Sequence, residues 1–233
     1  MTTTKKLQRI LSILLIIALL CLCAAAVKKI IEHWHDDHID TNAVFFTALT
    51  DMQNWQSYRY VLDAELTLNN YKKAKTVLQG EQDTQGNLHM FGEIMDTEME
   101  AYQFDNDHYR FNSSSKEWKH LAESPLTDNG VLRMVIEPTL NFCFNDTISV
   151  DYKGPIHEEG KKYYRFIVVP KEGFHIADTY FTDFKYRIDI SAETMQITAA
   201  VISGVSRTKS ENKITLQIRF YDINKEFLLR RPS

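Results

Sequence analysis

The stretch TALTDMQNWQSYRYVLDAELTL, residues 47–68, changes its period once, near Ser57. Before that point Val44, Phe45, Ala48, Leu49 and Met52 recur at helical spacing and make one apolar face. The helix they predict begins near Thr41, where Asp40 or Thr41 can accept from its free amides, and ends around Asn54 or Trp55. After it, Tyr58, Tyr60, Leu62, Ala64, Leu66 and Leu68 alternate with Arg59, Asp63, Glu65, Thr67 and Asn69. That is a strand with one apolar and one mostly polar face.

Working outward, the alternation repeats. Asn69 and Asn70 form a turn, residues 73–81 return, and 83–87, which contain Gly86, turn again. Strands are expected at 88–95 and 98–104, then a tight turn at Asp105, Asn106 and Asp107, a strand at 108–112, a serine turn at 113–115, and a strand at 117–121 with Trp118 on one face. Strands this short and turns this tight make an antiparallel meander. Residues 126–144 lack alternation. Leu132, Val135 and Ile136 suggest a short helical face ended by Pro138, covering part of the sheet. Strands resume at 147–153, 161–169, 182–190, 195–203 and 213–222. In the last, Ile214, Leu216, Ile218 and Phe220 alternate with Lys213, Thr215, Gln217 and Arg219. Residues 163–169 are apolar on both faces, which predicts cover on both sides. The fold class expected is α+β and mainly antiparallel β: one strongly curved, half-open barrel sheet with a few covering helices.

An apolar run from Ile10 to Val27 precedes this domain, with Lys5, Lys6 and Arg9 before it and Lys28 and Lys29 after it. Its length is near the lower limit of the roughly 20 residues that span a bilayer. The basic flank predicts a cytoplasmic N-terminus. A cleaved signal peptide would use Ala24, Ala25 and Ala26. Lipid attachment would need a small residue before the cysteine, but Leu20 precedes Cys21 and Leu22 precedes Cys23. Length and the double lysine favour an uncleaved signal anchor over cleavage. The expected organisation is therefore a cytoplasmic N-terminus (1–9), a transmembrane signal anchor (10–27), a polar stalk (28–40) and the β domain (41–233). The domain lies outside the cell membrane, or is secreted if the leader is cleaved. His33, His35, Asp36, Asp37 and His38 lie in the stalk, and a solvated spacer explains them better than a metal site, since no second ligand cluster accompanies them.

Composition narrows the function. The net charge of -4 in 233 residues does not suit a nucleic-acid binder. Of three cysteines, two lie in the apolar run, so the domain has a single thiol, Cys143. It makes neither an intradomain disulfide nor a cysteine zinc site, and between Phe142 and Phe144 it is expected to be a small buried hydrophobe. No nucleophile elbow, phosphate loop, dinucleotide fingerprint or zinc-protease motif occurs. Asp105 and Asp107 are turn residues, and Glu93, Asp96, Glu98 and Glu100 a solvated strand face or turn rather than a calcium loop. His89, His108, His120, His157 and His175 are scattered without a paired carboxylate in sequence. No catalytic residue, metal or cofactor is expected. The abundant Phe and Tyr are read as core and strand propensity.

The order of the pieces resembles the superfamily of the lipoprotein carrier LolA and the mycobacterial lipoproteins of the LppX and LprG type, most of all its Gram-positive branch. The likeness rests on residues 47–68, a helix running through a Ser-Tyr junction into a long strand. It continues in MEAYQFDNDHYRFNSSSKEWKHL (99–121), GKKYYRFIVVP (160–170) and the closing TLQIRFYDINKEFLLRRP (215–232). It spans about Thr41 to Pro232. What it implies is a half-barrel whose apolar concave face, lidded by helices, holds acyl chains or glycolipids. The Arg-Pro pair of the carrier branch is missing from GNLHMFGEI (86–94), so a shuttling carrier is not implied. The expected function is a membrane-anchored, non-enzymatic binding protein for a lipid or other apolar ligand. Phe45, Leu49, Met52, Tyr60, Leu62 and Leu66 are the candidate cavity residues. The alternative is a protein–protein or regulatory module without a cavity, docking a cell-envelope protein.

Overall fold

The structure, a computed structural model, describes residues 22, 39–69, 72–105, 107–121, 135–143, 147–171 and 179–232. The expected anchor (10–27, Leu22 apart), most of the stalk, and Leu132 of the expected helical face lie outside these. Among the described residues no helix is long and apolar enough to cross a membrane. Residues Asn42–Ser233 form one compact unit.

The chain enters it through helix α1 (Thr41–Met52) and continues as β1 (Tyr58–Leu68), β2 (Lys72–Gln82), β3 (Leu88–Ile94), β4 (Thr97–Phe104), β5 (Asp107–Asn112) and β6 (Glu117–Leu121). A short 3-10 helix, Pro138–Phe142, precedes β7 (Thr147–Glu158), β8 (Lys161–Pro170), β9 (Phe181–Ser191), β10 (Ile197–Ser206) and β11 (Lys213–Tyr221). All eleven strands form one open sheet in the order β6-β5-β4-β3-β2-β1-β11-β10-β9-β8-β7. Each half is a meander, and the antiparallel pairing of β1 with β11 fuses the two. Among the described residues, β6 and β7 are therefore the sheet's edges.

The alternation in β1 sets the core. Leu62 lies between Leu78 and Ile218, and Tyr60 between Gly80 and Phe220. Leu62, Leu78, Leu216, Ile188 and Ile202 are all 0% exposed. Each such side chain contributes about 2 kcal/mol of apolar burial. The opposite, outer face is polar and laced across strands. The Arg59 guanidinium donates to Glu81 and to Asp222, each at 2.8 Å. That of Arg165 forks onto both oxygens of Asp189 at 2.7 and 2.8 Å, a bidentate geometry.

Devices that bend a sheet are present. The β7/β8 and β9/β10 registers slip at bulges. At Gly80 the ring of Tyr60 fills the space a side chain would take, within 2.3 Å of a would-be Cβ. Between β3 and β4, Met95 and Asp96 both have positive φ (49° and 63°), as a two-residue hairpin turn of the primed kind requires.

The structure corrects some sequence expectations. Cys143 is exposed, not buried: the 3-10 helix ends there, turning Phe142 inward and the thiol outward. Val135 and Ile136 are helical and that turn stops before Pro138, as expected; Pro138 then also opens the separate 3-10 helix, since its missing amide is no loss at a first position. In β8 only Tyr164, Phe166, Val168 and Pro170 are buried, and the alternate residues are half-buried, so its outer face is less covered than expected. Strand β7 runs on to Glu158, beyond residue 153, through a bulge at Lys153 and Gly154.

Candidate functional site

The apolar face of the sheet carries two covering pieces. The first is α1, whose Phe45, Ala48, Leu49 and Met52 are buried. The ring of Phe45 packs on Phe166 of β8, with centroids 5.4 Å apart, and Trp55, just past the helix, packs on Phe220 of β11 at 5.3 Å. The second is the segment 135–143. Ile136 packs against Met90 of β3 and Ala101 of β4. Phe142 meets Tyr186 of β9 and Phe220 at 6.2 and 6.1 Å. This segment thus crosses the sheet from β4 to β9.

Two buried tyrosines of β1 tie that cover down. The Tyr60 hydroxyl donates to the Ile136 carbonyl at 2.8 Å, and that of Tyr58 lies 3.5 Å from the Thr139 hydroxyl. Burial pushes the Tyr58 phenol up to about 12 and that of Tyr60 well above its ordinary value. Both stay neutral and keep their protons.

Of the residues expected to line a ligand site, Phe45, Leu49, Met52, Tyr60 and Leu62 are buried, at 8% exposure or less. They sit beneath or within the cover. The ring contacts set the helix against β8 and β11, a placement the sequence does not encode locally. Leu66, the remaining one, is only half-buried. Around it the same face continues: Leu68, Ala74 of β2, Ile94 of β3 and Met99 of β4 are also half-buried. Register puts them together. Leu66 pairs with Ala74 and Ile214, Ala64 with Thr76, Thr76 with Ile94, and Gly92 with Met99. The inner face therefore has a covered end near Tyr60 and a partly open apolar end near Leu66.

On the outer face, the register builds pairs that the sequence scatters. His89 stands between Glu81 and Glu100, 3.1 Å from each, and His120 lies 3.1 Å from Asp107. An open cleft of about 370 Å³ is lined by Phe91, Glu93, Glu98, Glu100 and Phe111, among others. Among the described residues no group of three or more His, Cys, Asp or Glu side chains is gathered to hold a metal ion.

No known family model matches the chain. No curated protein matches it in sequence. Solved structures do match in fold. The Mycobacterium tuberculosis lipoprotein LppX superposes with a TM-score of 0.51 at 10% identity, covering 81% of this chain and 97% of that one. LprF from Mycobacterium bovis gives 0.50 at 12%, covering 82% and 95%. A LolA superfamily protein from Nitrosomonas europaea gives 0.38 at 11%, covering 82% and 96%. The fold is LppX-like, as the order of sequence elements suggested, and at these identities the likeness is one of fold alone.

Proposed function

We propose that this protein is a non-enzymatic, extracytoplasmic binding module that holds an acyl chain or similar apolar ligand on the inner face of its sheet, beside the cover. The observation that carries this is the continuation of the buried face as half-open apolar surface at Leu66, Leu68, Ala74, Ile94 and Met99. Contiguous apolar surface of this kind is costly in water, and an apolar ligand or partner relieves the cost. The LppX-like fold is in keeping with it. The candidate residues Phe45, Leu49, Met52, Tyr60 and Leu62 then form the packed floor and lid hinge, and Leu66 the ligand-facing end.

The run from Ile10 to Val27 serves as the membrane anchor and residues 28–40 as a stalk, so that the domain from residue 41 stands outside the membrane within reach of its lipids. Native mass spectrometry of the full chain, extracted in mild detergent, tests the binding. A co-purifying mass in the lipid range, reduced by Leu66→Asp, supports the reading. A bare chain mass across several extraction conditions contradicts it.

A further inference from the structure

The outer face of β3 to β6 carries a chain of touching rings. His89 lies 5.4 Å from Phe91 and stacks on Tyr102 at 4.0 Å and 8°. Tyr102 meets Trp118 at 5.3 Å, and Trp118 meets Phe111 at 5.3 Å. Aromatic side chains placed on the polar side of a sheet, opposite the core, are not needed to bury that core. Phe91 is 40% exposed.

At one end the chain itself shows how this surface takes a cation. Tyr102 stacks on Phe104. The Arg231 guanidinium lies over Phe104, 5.6 Å from the ring centre, and pairs with Asp107 at 2.9 Å. A ring face and a carboxylate together hold one arginine.

At the other end the same components stand open. The cleft between Phe91 and Phe111 is walled by Glu93, Glu98 and Glu100. Glu93 and Glu98 are direct cross-strand neighbours. Like charges so placed repel. Glu100 is met by His89, while Glu93 and Glu98 have no cationic partner among the described residues. Lys116 approaches Phe111 only to 6.0 Å, the outer limit of a cation–π contact.

We propose that this face docks a basic, extended segment of a partner protein, with an arginine or lysine entering between Phe91 and Phe111 to meet Glu93 and Glu98. Charge complementarity selects a cationic occupant. The ring chain running from the cleft across β3, β4, β5 and β6 gives flanking apolar side chains of a peptide somewhere to lie, which a small free cation would leave unused. An anionic membrane surface is repelled by the same carboxylates. The carboxylates and rings of the site are on the opposite side of the sheet from the ligand face, and Met99 of β4 is the residue that borders both.

The full chain in a neutral maltoside detergent is titrated against a fluorescein-labelled nonapeptide of alternating arginine and valine. Controls are the same peptide with citrulline, or with glutamate, for arginine. The expected result is saturable binding of the arginine peptide, weakened by salt, with a loss of about tenfold for the citrulline peptide. The Glu93→Gln/Glu98→Gln double variant loses affinity by about tenfold, and Glu211→Gln, in the loop before β11, changes nothing. The double variant melts no lower than the parent, because repulsion has been removed; a purely structural role would lower its melting temperature. Equal binding of the citrulline peptide, or unchanged binding by the double variant, overturns the proposal. So does free arginine binding as tightly as the peptide, which would make this a small-cation site. A dimer in sedimentation that the double variant dissolves also overturns it, by assigning the face to a second copy.

Discussion

The hydroxyl of Tyr60, 1% exposed in the middle of the sheet, donates to the backbone carbonyl of Ile136 at 2.8 Å and so fastens the segment 135–143 to the strand beneath it. Phenylalanine at position 60 keeps the ring and removes the donor, leaving a buried carbonyl unpaired. The expected cost is about 1–3 kcal/mol, read by urea unfolding, with faster backbone hydrogen exchange confined to 135–143. Uniformly faster exchange across the sheet would contradict the local role.

The same ring depends on the glycine beside it. Gly80→Ala would drive a methyl into the Tyr60 ring, with contacts of 2.3–2.5 Å to be relieved. Overpacking of this kind costs about 1–3 kcal/mol. In a Tyr60→Leu background the penalty shrinks, and a double-mutant cycle should give a coupling of at least about 1 kcal/mol. Additive effects would mean that the glycine serves another purpose.

The C-terminal tail is a strap across the strand ends. It leaves β11 through Asn224, whose amide donates to Ser57 and whose side-chain oxygen accepts from Gln56, at 2.8 and 2.9 Å. It then passes the turn between β2 and β3, where the fully buried Asp83 accepts from the amides of Gln85, Asn87 and Leu229 at 2.9–3.0 Å. Asp83→Ala leaves these donors without an acceptor. It is expected to cost about 3 kcal/mol and to make the tail the first site of limited proteolysis.

The strap has a pH window with a definite sign. Hydrogen bonding to His120, followed by the charge of Arg231, holds the Asp107 carboxyl below its ordinary value. Lys225 and then Arg59 do the same for Asp222. A carboxyl whose pKa is lower folded than unfolded adds stability above its unfolded pKa and loses it as pH falls through the folded one. Tail docking, followed by the Leu229 amide resonance, should therefore be unchanged from pH 7 to pH 5 on account of these groups. It should be lost only below the ordinary carboxylate value of 3.8. Release on raising the pH from 5 to 7 would contradict this.

How much of this the sequence reveals depends on the range of each contact. Period two in residues 58–68 fixes β1 at its observed bounds, because side-chain alternation is a local consequence of the pleat. The short turns give the hairpins, and a meander follows from them. What holds the cover down is not local. Tyr60 and Ile136 are far apart in sequence, and nothing about a tyrosine in a strand announces its acceptor. The pairing of His89 with Glu81 and Glu100 arises from two separate strand registers, so the histidines look isolated until β2, β3 and β4 are aligned. Cys143, flanked by two phenylalanines, suggests a buried site, but a one-residue change in direction at the end of a 3-10 helix exposes it. For the candidate ligand residues, an apolar pattern marks the inner face without telling its packed end from its open one. Only the cover over Tyr60 makes Leu66 differ from Leu62.

The central claim is that an apolar ligand occupies the inner face near Leu66. Full-length protein in membrane vesicles doped with a phospholipid carrying a photoactivatable diazirine in its acyl chain can be irradiated and its adducts mapped by peptide mass spectrometry. Adducts within the domain at Leu66, Leu68, Ile94 and Met99, diminished by Leu66→Asp, are the predicted result. A domain free of adducts, or labelled on Val61, Val77 and the rest of the outer face instead, would contradict it.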